Sequence, residues 1–173
     1  MRGGKRSPQR APIHEIFWSM LGSFLGILSI YVIGHIQGLQ LESTLFLVGS
    51  FGASAVLLYA IPTSPFAQPR NLVLGHAVSA IAGVSCALLL SDYIAIAAAA
   101  AVATAIMLMH LVRSLHPPGG ATALIAVIGG SDIHQLGYAY VVTPVVSGAI
   151  LLLVVAVLVN NMSPHRRYPQ YWY

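Results

Sequence analysis

His76 lies six residues beyond Arg70 in an otherwise apolar run, and His116 stands immediately before Pro117 and Pro118. An imidazole at either place can donate, accept or carry a proton. Six residues of helix carry His76 about 9 Å deeper than Arg70, which makes it the best embedded of the seven histidines. His110 and Arg113 share a helix face at i and i+3. Arg70, Asn71, His76, Arg113 and His116 therefore gather toward one end of their segments as a candidate basic vestibule. Two plainer readings compete, namely arginines snorkelling to lipid phosphates and a neutral His76 bonded to a neighbouring helix.

Pro117 and Pro118 cannot continue a helix but suit its first turn, so a helix is expected to restart near Gly119. From Gly119 to Gly130 is 12 residues, about 18 Å of helix, which puts its amino end well inside a membrane. A similar stretch predicts a second start near Gly52. Facing amino ends carry positive partial charge and unpaired N–H groups, a ready anion site. Gly52, Ala53 and Ser54 would line one side and Gly119, Gly120 and Thr122 the other, with Ser54 and Thr122 adding hydroxyls. The competing reading is a kinked helix whose freed N–H groups bond to neighbours.

Other chemistry finds little here. Cys86 is the single cysteine, so no disulfide or cysteine metal cluster forms within one chain. The embedded histidines include no i, i+4 pair and no carboxylate partner, so no metal site is expected. Neither a phosphate loop nor a nucleophile beside a base is present, so no enzyme and no cofactor is expected.

The elements that must position these residues are apolar. Of 173 residues, 57% are hydrophobic and 7% charged, against roughly 25% charged in a soluble domain. Lipid must cover most of the surface. The net charge of +4 is spread between apolar runs, which fits orientation signals and lipid contacts rather than nucleic-acid binding. Five runs approach the ~20 residues needed to cross a bilayer: Ile16 to Ile36, Thr44 to Ile61, Leu72 to Leu90, Ile94 to Leu111 and Tyr138 to Val159. A sixth, Pro117 to Gly130, crosses only with an extended lead-in. Six crossings from a cytoplasmic amino end put Arg70, Arg113, Arg166 and Arg167 inside and Glu42, Asp92 and Asp132 outside. Five would put Arg166 and Arg167 on the wrong side.

Gly52-Ala53-Ser54-Ala55-Val56-Leu57 aligns with Gly120-Ala121-Thr122-Ala123-Leu124-Ile125 at an offset of 68, which also pairs Leu47 with Leu115 and Ser79 with Ser147. A three-span unit repeated once appears in opposite orientations, as in many transporters; chance similarity between small-residue helices is the alternative. Gly22 and Gly26 form a GxxxG, which serves helix packing or self-association as a homo-oligomer.

The run Leu115-His116-Pro117-Pro118-Gly119-Gly120-Ala121-Thr122-Ala123-Leu124 resembles the signature of the HPP family of integral membrane proteins. Phe51 to Leu58, Ser64 to Asn71 and Gly75-His76 are similar to that family's other motif block, in the same order. Members from plant chloroplasts and cyanobacteria are associated with nitrite transport, so the resemblance implies small-anion permeation. The family is described with four or so spans, fewer than the six counted here.

The expectation is thus an all-α polytopic bundle, six segments in a 3+3 inverted repeat with broken helices. Residues 1–15 form a basic cytoplasmic tail, 16–160 the transmembrane domain and 161–173 a cytoplasmic carboxyl tail. It is expected in a bacterial inner membrane, passing a small inorganic anion, most simply nitrite, with membrane lipids as its other partner. Channels for a neutral solute, or a sensor or scaffold without transport, are the alternatives.

Overall fold

The computed structural model describes residues 10–36, 38 and 49–173. Thr44 to Val48 of the second apolar run, Glu42, and the basic residues before Arg10 lie outside the described residues. Every regular element described is helical.

Four helices are long and apolar enough to cross a membrane: α1 (Ile13–Ile36), α3 (Pro69–Leu89), α4 (Ile94–Leu111) and α7 (Val141–Met162). Among the described residues, two shorter apolar stretches of helix are α2 (Gly49–Ala60) and α5 (Gly119–Ile128). At 1.5 Å per residue the ten residues of α5 cover about 15 Å, half of a ~30 Å hydrocarbon core. A further helix, α6 (Gly130–Leu136), joins α5 to α7.

Local sequence explains the breaks. Residues 114–116 carry no regular structure and Pro118 takes α-helical angles just ahead of α5, so the helix restarts at Gly119 as the prolines require. The start expected near Gly52 is different. The helix is already wound at Gly49, because nothing before Gly52 breaks it, and Gly52 is an interior position. Pro144 interrupts α7, where Thr143 leaves helical geometry.

Small residues let helices approach. Gly22 and Gly26 lie against the ring of Tyr59, and a Cβ at Gly26 would fall 2.5 Å from its hydroxyl oxygen and 2.9 Å from Leu152 Cδ2. The GxxxG face is filled from within the chain, so it is not free for self-association. Ala97, Ala101 and Ala105 give α4 a buried flat stripe against Ala82, Ala123 and Val127. Accordingly α3 packs on α4 and α5, while α1 packs on α7 and the last turn of α2.

Both described chain ends meet at one end of the bundle. Arg166 forks onto Glu15 at 2.7 Å and also donates to the Glu15 carbonyl, Ser19 Oγ, the Tyr59 carbonyl and Asn160 Oδ1. The Arg166 side chain is 3% exposed, which leaves it little contact with lipid, and it ties α1, α2 and α7 together. At that same end Tyr168 Oη donates to the Ala67 carbonyl at 2.7 Å, and the Gln170 N–H to Gln68 Oε1 at 2.8 Å. Burial first, then the Tyr59 phenol, raises the Tyr168 pKa well above the ordinary value, so it stays a neutral donor.

Candidate functional site

Four elements deliver polar side chains to one buried point. From α2 come Ser50 and Ser54, one turn apart on its buried face; from α3 comes His76; from α5 comes Thr122; and His116 projects from the segment before α5. All five are buried, His76, His116 and Ser54 completely.

Ser54 Oγ sits between the two imidazoles, 2.8 Å from His76 Nε2 and 2.9 Å from His116 Nε2. His76 Nδ1 meets Thr122 Oγ1 at 2.7 Å, and Thr122 Oγ1 meets Ser50 Oγ at 2.7 Å. The chain ends on two carbonyls, with Ser50 Oγ 3.0 Å from that of Pro118 and His116 Nδ1 2.8 Å from that of Phe66. The rings of His76 and His116 lie 4.8 Å apart, with Phe51 against His76 at 5.0 Å. Among the described residues no carboxylate joins this chain: Glu15 is held by Arg166, and Asp92 and Asp132 belong to the opposite end.

Backbone fit holds the cluster in place. A Cβ at Gly75 would fall 2.5 Å from His116 Cβ and 2.8 Å from the Ser114 carbonyl, so the glycine lets that segment lie directly on α3. Asn71 Nδ2 donates to the Leu115 carbonyl at 2.8 Å, and Arg70 Nη2 to that of Val112 at 2.9 Å. These two side chains position the approach to His116 and do not reach the cluster.

The expected site residues therefore divide. Ser54, His76, His116 and Thr122 come together. Ala53 lies on the exposed face of α2, because the buried face there belongs to Ser50, Ser54 and Phe51. Gly52 and Gly120 are half-buried beside the cluster. The amides expected to be free at the start of α5 are not: Gly119 N–H donates to the His116 carbonyl at 2.8 Å, Gly120 to Pro117 at 3.1 Å, and Ala121 and Thr122 to Pro118 at 3.1 and 3.2 Å. The prolines lack N–H groups but their carbonyls turn back onto this first turn and occupy it. Of the residues grouped as a vestibule, Arg113 is exposed, while His76 is bonded to Ser54 and Thr122 and His116 to Ser54 and the Phe66 carbonyl.

Sequence reasoning missed Ser50, although its i, i+4 spacing to Ser54 was a usable signal. It also missed Tyr140, whose hydroxyl donates to the Thr122 carbonyl at 3.1 Å. Ser79 Oγ and Ser114 Oγ are buried beside this site with no hydrogen-bond partner among the described residues.

The model of the HPP transmembrane region matches residues 8–169. The chain belongs to the HPP family. Two relatives, both named as transmembrane proteins of Dictyostelium discoideum, are 47% identical over 175 residues and 42% identical over 174. Each match covers 99% of this HPP chain, but 56% and 60% of the relatives, so the chain spans under two thirds of their length. No solved structure matches it. Neither relative is bacterial, so the expected bacterial inner membrane draws no support from them. The integral-membrane character does, together with the four spanning helices.

Proposed function

We propose that this HPP chain passes a small monovalent anion across the membrane, with nitrite as the substrate that the family resemblance favours. The observation that carries the reading is the Ser50–Thr122–His76–Ser54–His116 chain of hydroxyls and imidazoles. Polar and ionisable groups inside a membrane bundle are expensive and mark substrate paths. This one has no carboxylate among its described partners, so its donors suit an anion better than a cation. Helices α2 and α5 meet at the cluster through the Ser50–Thr122 contact, and the dipole of α5 favours negative charge near its amino end. With the first-turn amides of α5 already bonded, hydroxyl and imidazole hydrogens take the anion-binding role first given to the backbone.

Two features support the inverted repeat in this reading. The offset of 68 pairs α2 with α5 and α3 with α7, and each third helix packs on the other unit's first helix, α3 on α4 and α7 on α1. Positive residues at the Arg70, Arg113 and Arg166 end favour that end as cytoplasmic. The chain acts by binding and release, with no covalent step.

Flux into liposomes holding only this protein tests the proposal. Nitrite should enter faster than in empty liposomes, with nitrate, formate and chloride defining selectivity. Equal entry of a neutral solute such as glycerol would favour a neutral pore. Saturable nitrite binding with no flux would favour a sensor.

A further inference from the structure

The buried chain can be counted in hydrogens. Phe66 O, His116, Ser54, His76, Thr122, Ser50 and Pro118 O are joined by six contacts of 2.7 to 3.0 Å. Both ends are carbonyl oxygens, which only accept. Each of the three hydroxyls and two neutral imidazoles brings a single hydrogen, so six contacts share five hydrogens. The Ser50 carbonyl, 3.5 Å from Ser54 Oγ, is too distant to compete. In the neutral state one of the six contacts lacks a hydrogen, and in one such arrangement His116 donates from Nδ1 to Phe66 O. Ser54 then donates to His116 Nε2, His76 Nε2 to Ser54 and Thr122 to His76 Nδ1. Ser50 turns to Thr122, and its contact with Pro118 O is left without a hydrogen.

One added proton completes every contact. With His76 doubly protonated, Nε2–H points to Ser54 and Nδ1–H to Thr122, and Thr122 and Ser50 pass the direction on to Pro118 O. The charge can equally sit on His116: the Nε2 proton of His76 moves to Ser54 Oγ while the Ser54 hydrogen moves to His116 Nε2. No bond other than O–H and N–H changes, and no redox partner is needed.

The groups around this chain do not neutralise such a charge. From α2 it meets Phe51, from the start of α7 the phenol of Tyr140, which donates to the Thr122 carbonyl, and from α4 the sulfur of Met109, 3.4 Å from His116 N. Arg70, on α3, is turned to Val112. A buried charge needs a partner of opposite sign. We infer that the cluster binds one proton as a co-substrate with each anion, so that anion and proton occupy the site together. This rests on the anion reading above.

Calorimetry of nitrite binding to the detergent-solubilised full chain, in two buffers of different ionisation enthalpy at one pH, measures the proton uptake. The expected value is about one proton per nitrite, with affinity falling about tenfold per unit rise in pH. Ser54→Ala should bring the uptake toward zero and Ser54→Thr should restore it. Nitrite binding without proton uptake overturns this inference and leaves the anion reading intact, whereas no binding of nitrite, nitrate or formate removes both. Should Ser54→Ala fail to fold, nitrogen NMR of the unaltered chain decides. The ligand-free protein should show both rings neutral, with nitrite generating an imidazolium signal. Neutral rings under saturating nitrite overturn it.

Discussion

Arg166→Lys separates two roles that one residue carries. It preserves the positive charge on which the proposed orientation draws but removes the planar fork that holds α1, α2 and α7 together. The guanidinium makes five hydrogen bonds, to Glu15 Oε2, the Glu15 carbonyl, Ser19 Oγ, the Tyr59 carbonyl and Asn160 Oδ1. An ammonium has three hydrogens at one point, so at least two of those acceptors lose their donor. At about 1.5 kcal/mol for each bond to a charged group, the loss is about 3 kcal/mol, or roughly 150-fold in the folded-to-unfolded ratio. Arg166→Ala, which strands Glu15, should cost about 3–5 kcal/mol. Unfolding of the detergent-solubilised chain by a denaturing detergent, followed through Trp18 fluorescence, measures both. Glu15→Gln combined with Arg166→Lys should cost less than the sum of the two. A lysine variant within 0.5 kcal/mol of the parent would refute the strut and return Arg166 to a surface charge.

Three other outcomes follow from packing and topology. Gly119→Ala should destabilise by about 1–3 kcal/mol, because its Cβ would lie 2.5 Å from Ser79 Oγ and 3.1 Å from the Gly75 carbonyl. By contrast, Gly120→Ala meets only Val102 Cγ1 at 3.8 Å and should be neutral or slightly stabilising; melting of the two variants side by side checks the contrast. Gly22→Val should prevent α1 from docking, since its Cβ already collides with the Tyr59 ring, and should be seen as loss of the monodisperse folded species. Cysteine at exposed Ser131, in a Cys86→Ser background, should react with an impermeant reagent outside intact cells, and labelling only from inside would remove the proposed orientation.

Helix existence was legible because membrane spans depend on long apolar runs, and Ile94 to Leu111 in the sequence is α4 in the structure to the residue. The restart at Gly119 was equally legible, since two prolines leave few conformations. The start near Gly52 was not, because it was inferred from a repeat and no local residue enforces it. Four of the ten expected site residues, Ser54, His76, His116 and Thr122, form the cluster because they carry polar atoms on buried faces. That main-chain carbonyls bond the Gly119 and Gly120 amides was not legible, because it is a matter of turn geometry that composition does not encode. The bonding of Arg166 was not legible for a related reason: its partner Glu15 is 151 residues away, and nothing local signals the pairing.

The central claim is that the hydroxyl joining His76 to His116 lies on the path of a permeating anion. Initial nitrite uptake into liposomes, compared between the unaltered chain and Ser54→Ala at equal amounts of folded protein, tests it most directly. The account predicts at least a tenfold slower entry in the variant, with recovery in Ser54→Thr. Entry at the unaltered rate through Ser54→Ala would contradict it.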